Sequence, residues 1–129
     1  MGAPMVLVVD DNPMNVKLLR FVLESRGYIV REALSADEAM RSLDLEAPAL
    51  ILMDIQLPGT DGLTLSRKLR ADARFARTPI VAVSASAMPH DHLAALEAGC
   101  NEFVSKPINT RTLGALVERL LAATAGRPE

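Results

Sequence analysis

The sequence is poor in aromatic residues. They make up 3% of the chain, with three Phe, one Tyr and no Trp, so stacking platforms for bases or sugars are not expected. The single cysteine, Cys100, cannot form an intramolecular disulfide, and a reducing compartment is its natural setting. Positive charge is not in excess. Lys and Arg number 14 against 16 Asp and Glu, giving a net charge of −2 and a pI near 5.7, whereas a dedicated nucleic-acid binder needs a basic surface to neutralise phosphates. No apolar run approaches the roughly 18 residues that span a bilayer. The N-terminal Met1-Gly2-Ala3-Pro4 has no Lys or Arg ahead of its short apolar run, and that run ends in two aspartates, unlike a signal peptide. The expectation is a cytoplasmic protein with neither a membrane nor a nucleic-acid partner.

What is present points to one folding unit. The chain has 129 residues, half of them hydrophobic, enough for a core in a single domain and too few for a second one. The core is expected over about residues 5–122, with 123–129 as a short tail. Met5 to Val9 is a continuous β-prone run ended by Asp10, as a strand buried on both faces would be. Asn12-Pro13 then opens a helix, with Asn12 as cap and Pro13 in the first helical position. Leu18, Leu19, Val22 and Leu23 form its expected inward stripe, and Gly27 ends it. Tyr28 to Arg31 reads as a second strand. Ser35 caps a helix with the stripe Ala39, Met40 and Leu43, closed by Pro48.

Leu50 to Met53 is a third buried strand, ending in Asp54. Pro58-Gly59 is a turn, and a helix runs from Gly62 to Leu69. Ile80 to Val83 is a fourth strand ending in Ser84, followed by a helix from Met88 to Ala98 closed by Gly99. Glu102 to Ser105 is a short fifth strand before Lys106-Pro107. Asn109 or Thr110 caps a last helix through Leu121, with Leu113, Leu116, Val117, Leu120 and Leu121 inward. Five strand–helix units in alternation predict an α/β fold, a parallel sheet with helices on both faces. Ligands of such folds bind outside the carboxyl ends of the strands.

Those ends carry a specific set of groups: Asp10 and Asp11 after the first strand, Asp54 after the third, Ser84 after the fourth and Lys106 after the fifth. Polar residues often terminate strands, but three carboxylates, a hydroxyl and an ammonium on one rim suit phosphoryl transfer onto a carboxylate. Clustered carboxylates repel each other and need a cation, and an oxygen-only site suits Mg²⁺. Asp54 as nucleophile would form an aspartyl phosphate. The metal and Lys106 would neutralise charge, and Ser84 would hydrogen-bond a phosphoryl oxygen.

The segments Val9-Asp10-Asp11-Asn12, Leu52-Met53-Asp54-Ile55-Gln56-Leu57-Pro58-Gly59, Val83-Ser84-Ala85 and Phe103-Val104-Ser105-Lys106-Pro107, with their spacing, resemble the response-regulator receiver domain of two-component signalling. The resemblance covers nearly the whole chain. It implies a doubly wound, flavodoxin-like (βα)5 sandwich with strand order 2-1-3-4-5. It implies that Asp54 is the phosphoacceptor, charged by a histidine kinase or a histidine phosphotransfer protein. Asp11, Asp54 and the backbone carbonyl of Gln56 would ligate Mg²⁺ or Mn²⁺, and Asp10 would act through a metal-bound water. Lys106 would pair with the phosphoryl group, and the Lys106–Pro107 bond would be cis. The switch would couple Ser84 to the rotamer of Phe103, repacking the face of helix four, strand five and helix five where a downstream protein docks.

Two departures bear on that switch. The family more often has Thr where this chain has Ser84, and Tyr where it has Phe103. On the same resemblance, Gln56, Ala85 and Ser86 would flank the path to the phosphoryl group. His90 and His92 read as solvated, Cys100 as a packed residue, and Met5, Met14, Met40, Met53 and Met88 as core or interface. The segments Asn12-Pro13-Met14-Asn15-Val16-Lys17-Leu18 and Ala85-Ser86-Ala87-Met88 resemble a narrower set: single-domain regulators of the DivK-like subgroup and the receivers of hybrid sensor kinases. Chain length favours the stand-alone regulator, acting as a monomer or weak dimer and catalysing only its own phosphorylation and dephosphorylation. Three alternatives stand beside it: a receiver excised from a hybrid histidine kinase, a pseudo-receiver that never carries phosphate, and a phosphatase of the haloacid dehalogenase type. The phosphatases place a second acid two residues after the nucleophile, where this chain has Gln56.

Overall fold

In the computed structural model, which describes residues 3–57, 59, 61–85 and 88–125, the run Met5–Val9 is strand β1 and is buried at every position. It lies between β2 and β3 in a parallel sheet with Ile29–Ala33 (β2), Leu50–Asp54 (β3), Ile80–Ser84 (β4) and Glu102–Ser105 (β5), in the order β2-β1-β3-β4-β5. The register pairs Val9 with Ala33 and Met53, Asp54 with Val83, and Ser84 with Ser105. All the strands therefore end along one rim.

The helices are Pro13–Ser25 (α1), Ala36–Leu45 (α2), Gly62–Ala71 (α3), Pro89–Glu97 (α4) and Thr110–Ala125 (α5). Side chains on a strand alternate between faces, so β1 feeds two cores. Val6 and Val8 pack with Val16, Leu19 and Leu23 of α1 and with Leu113 and Val117 of α5. Leu7 and Val9 pack with α2, α3 and α4 through Ala39, Leu43, Leu65, Leu69 and Ala95.

Local chemistry sets the helix ends. Asn12 accepts from the Met14 N–H with Pro13 in the first turn. Ser35 accepts from the Glu38 N–H, and the Glu38 carboxylate returns to the Leu34 N–H, which satisfies donors that a helix start leaves orphaned. Asp61 caps α3 through Thr64 N–H. Of the two candidates for α5, Asn109 is the cap, accepting from the Arg111 and Thr112 N–H groups. Gly27, at φ 90, ends α1 in the left-handed region.

Several expectations are corrected. Leu18 does not face inward; it is 42% exposed, and Val16 takes its place. Both sets of positions lie on a helical face, and packing against both the sheet and α5 decides between them. The second strand begins at Ile29 and runs on to Ala33, because the register with β1 carries it there. Helix α5 extends past Leu121 to Ala125. A 3₁₀ turn, Ala73–Phe75, follows α3 and buries Phe75. Pro58, Ser86 and residues 126–129 lie outside the described residues.

Candidate functional site

The rim gathers the groups singled out in the sequence. Asp10 follows β1 and Asp54 ends β3; each is 2% exposed. Asp11 is exposed. Carboxylate oxygens of Asp10, Asp11 and Asp54 lie within 4.8 Å of one another. Ser84 ends β4 and is buried; its carbonyl accepts the Lys106 N–H at 2.7 Å, which ties the start of the Lys106–Pro107 turn to β4. That peptide bond is cis. Lys106 Nζ reaches back between the two buried carboxylates, 3.1 Å from Asp54 Oδ2 and 3.3 Å from Asp10 Oδ2.

The carboxylates are also held by the backbone. Asn12 N–H donates to Asp10 Oδ1 at 2.9 Å, and Asn15 Nδ2 stands 3.5 Å from Asp10 Oδ2. Gln56 N–H donates to Asp54 Oδ1 at 2.8 Å. The Gln56 side chain turns toward the next loop, where its Oε1 accepts the Ala85 N–H at 2.9 Å.

Charge at the rim is unbalanced. Burial raises the Asp10 pKa above 3.8; the Asn12 N–H and Lys106 oppose this, and the Asp54 charge adds to it. Burial acts against the Lys106 ammonium, yet its hydrogen bond and charge pairing with Asp54, then Asp10, outweigh it and raise its pKa. Three carboxylates against one ammonium leave a deficit of positive charge. Oxygen donors alone, close together and partly open to solvent, fit a hard divalent cation such as Mg²⁺ or Mn²⁺.

Further residues stand out in the structure, some of them unmarked in the sequence and some placed as expected. Gly62, first residue of α3, lies so close to β3 that a Cβ there would fall 2.5 Å from the Asp54 carbonyl oxygen and 2.6 Å from Ile55 Cα. A glycine opening a predicted helix was the available signal. His92 is exposed, as expected of a solvated residue, but its ring stacks on Phe103, with centroids 5.0 Å apart and planes at 12°. Phe103 is half-buried against the α2–α3–α4 core. Arg70 of α3 donates to the carbonyls of Gly99 and Phe75 and to Asn101 Oδ1, fastening the α4–β5 turn; nothing in the sequence marked it. Cys100 is buried beside Ser66, and burial pushes its thiol pKa up. Met14 and Met88 are exposed, whereas Met5 and Met53 are in the core.

A groove of about 500 Å³ opens at the opposite end of the strands, beside Pro4, Arg77, Pro79 and Leu121. None of the rim residues borders it. Among the described residues no helix is long and apolar enough to cross a membrane.

Comparison with known proteins agrees with this fold. Residues 6–118 match the response regulator receiver domain. The polar-differentiation response regulator DivK of Brucella ovis is 39% identical over 107 residues, 81% of this chain and 85% of that protein. An uncharacterized 14.6 kDa protein of Leptolyngbya boryana is 38% identical over 118 residues, 92% of this chain and 90% of that one. The signal receiver domain of a signal transduction histidine kinase from Syntrophus aciditrophicus superposes with a TM-score of 0.89 at 32% identity, covering 98% of this chain and 96% of its own. A CheY-like receiver domain protein from Methanospirillum hungatei JF-1 gives 0.89 at 27% identity, covering 96% and 98%. With the 2-1-3-4-5 sheet and the acidic rim, these matches identify the family: the chain belongs to the response regulator receiver domains of two-component signalling.

Proposed function

We propose that Asp54 accepts a phosphoryl group from a phosphohistidine on a histidine kinase or phosphotransfer protein, and that the phosphorylated domain signals by binding another protein. The observation that carries this reading is Lys106 Nζ within 3.3 Å of both Asp10 and Asp54, beside a third carboxylate on the same rim. An Asp54 oxygen attacks phosphorus, the P–N bond to histidine breaks, and the imidazole leaves with the electron pair. Asp11, Asp54 and the Gln56 carbonyl would hold Mg²⁺, with Asp10 acting through a water. When bound, the metal supplies charge neutralisation on the transferring oxygens. Lys106 pairs with the phosphoryl group and Ser84 donates to one of its oxygens. Catalysis is positioning and electrostatics, so the domain is a signalling switch rather than a turnover enzyme.

The switch runs from Ser84 along β4 to Phe103 on the neighbouring β5. Ser84 turns toward the phosphoryl group, and Phe103 moves into the space it leaves. The α4–β5–α5 face then presents a different surface to a downstream protein, or to a second copy in a weak dimer. The input surface is a separate one. Met14, Leu18 and Phe21 recur at helical spacing on α1 and are 75%, 42% and 73% exposed, a continuous apolar stripe. It begins beside the rim, which suits the helical surface of a phosphodonor. The setting is cytoplasmic, and the partners are proteins rather than nucleic acid or membrane.

The test is incubation with Mg²⁺ and acetyl phosphate. Intact mass should rise by one phosphoryl group, and the gain should vanish in Asp54→Asn. A wild-type chain that never labels, with small donor or kinase, overturns the phosphoacceptor assignment. A second reading, the receiver of a hybrid kinase, is favoured by the likeness to the Syntrophus kinase domain; it shares the same chemistry, and the genomic reading frame distinguishes the two.

A further inference from the structure

We infer that the Gln56 side chain is a strap across the phosphoryl entrance: it holds the Ala85 backbone N–H in the unphosphorylated protein and must release it when Asp54 is phosphorylated. This inference rests on the phosphoacceptor reading above. The argument begins with the sheet ladder. Asp54 pairs with Val83, and Ile55 N–H donates to the Val83 carbonyl at 3.0 Å. In a parallel ladder the next bond would run from Ala85 N–H to the Ile55 carbonyl. That carbonyl instead accepts the Gly62 N–H at 3.3 Å, because α3 begins pressed against the end of β3. The ladder stops there, and Ala85 N–H turns to Gln56 Oε1 at 2.9 Å.

Gln56 thus engages both sides of the entrance. Its backbone N–H holds Asp54 Oδ1 and its side-chain carbonyl holds the first backbone donor after Ser84. A phosphoryl group on Asp54 brings three oxygens that are strong acceptors. Lys106 and Ser84 can serve some of them, and Ala85 N–H is the adjacent backbone donor. A charged phosphoryl oxygen accepts more strongly than a neutral amide carbonyl, so it displaces Gln56 once in place. An incoming phosphoryl group finds that donor occupied, so the strap slows entry and leaves the finished phosphoaspartate unopposed. Gln56 is a positioning residue here, acting through the Ala85 amide.

Three variants separate this role from bulk. Gln56→Met keeps the length of the side chain and removes the acceptor; Gln56→Ala removes both; Gln56→Glu keeps an acceptor and adds charge. With Mg²⁺ and acetyl phosphate, the initial labelling rate of Gln56→Met and Gln56→Ala should rise on the order of 2–10-fold, the worth of one net hydrogen bond. Gln56→Glu should label no faster than wild type. In the unphosphorylated protein the Ala85 amide proton should move upfield in the Met and Ala variants, a signature that loss of packing alone would not give. Unchanged labelling rates, or an Ala85 amide indifferent to Gln56→Met, overturn the strap while leaving wild-type labelling of Asp54 intact. Absence of wild-type labelling overturns the phosphoacceptor reading itself, and the strap with it.

Discussion

Asp10 and Lys106 both lend less stability as pH rises, in two different pH windows. A carboxyl whose pKa is raised on folding favours the fold when protonated, so its contribution turns unfavourable as pH climbs from 3.8 through the raised folded value. The cause is burial first, with the Asp54 charge adding to it. For Lys106 the folded pKa is raised, so the stability it lends is present below 10.5 and lost only as pH rises through that higher value. Across the neutral range Lys106 is therefore constant and Asp10 is a standing cost. Without divalent ions, Asp10→Asn should gain stability relative to wild type as pH rises above 3.8, the gain being absent below that pH. Urea unfolding above and below pH 3.8 checks this, and the same difference from wild type on both sides contradicts it. Added Mg²⁺ should stabilise the wild type more than the variant.

Between elements, the decisive contact is the approach of α3 to β3. Gly62 has no Cβ, and the atoms that one would strike belong to the backbone of Asp54 and Ile55, which cannot step aside as a flexible side chain can. Gly62→Ala should destabilise the fold by about 2 kcal/mol through overpacking and slow acetyl phosphate labelling by shifting the Asp54 backbone. Unfolding and labelling measured on one preparation test both effects; an unperturbed variant would show that the approach is loose. At the far end of α3, Arg70 donates to Gly99 and Asn101 of the α4–β5 turn and to the Phe75 carbonyl, tying that turn to α3 and the 3₁₀ turn. Helix α4 is thus fastened at its carboxyl end, while His92 within it leans on Phe103.

At the scale of the molecule, one sheet carries both of the proposed docking surfaces. Helices α1 and α5 cover one face, α2, α3 and α4 the other, and the rim lies at the strand ends common to both. Under the proposed function, the apolar stripe of α1 and the α4–β5–α5 face are each tested by a variant of their own. Phe21→Ala should slow phosphoryl transfer from a histidine kinase that labels the wild type, while acetyl phosphate labelling is unchanged. Phe103→Ala should weaken binding of the phosphorylated protein to its target and leave labelling intact. Kinase transfer indifferent to Phe21→Ala removes α1 from the input surface, and unchanged target binding removes Phe103 from the switch.

The sequence by itself determined the order of the elements and the chemical identity of the rim. Continuous apolar runs, caps such as Asn12 and Ser35, and the glycines after helices act over a few residues, so they are legible locally. Asp54 and Ser84 sit at the ends of buried strands and Asp10 just past one, because a buried strand stops where polarity begins; Lys106 follows the partly exposed β5. Tertiary structure decided what depends on distant segments meeting. Val16 rather than Leu18 faces inward because α1 packs on both the sheet and α5. Lys106 stands between two carboxylates, Gln56 reaches Ala85 where the Ile55 carbonyl is bonded to Gly62, and His92 meets Phe103 across α4 and β5. None of these has a local period or motif; each is set by strand register and by how closely a helix approaches the sheet.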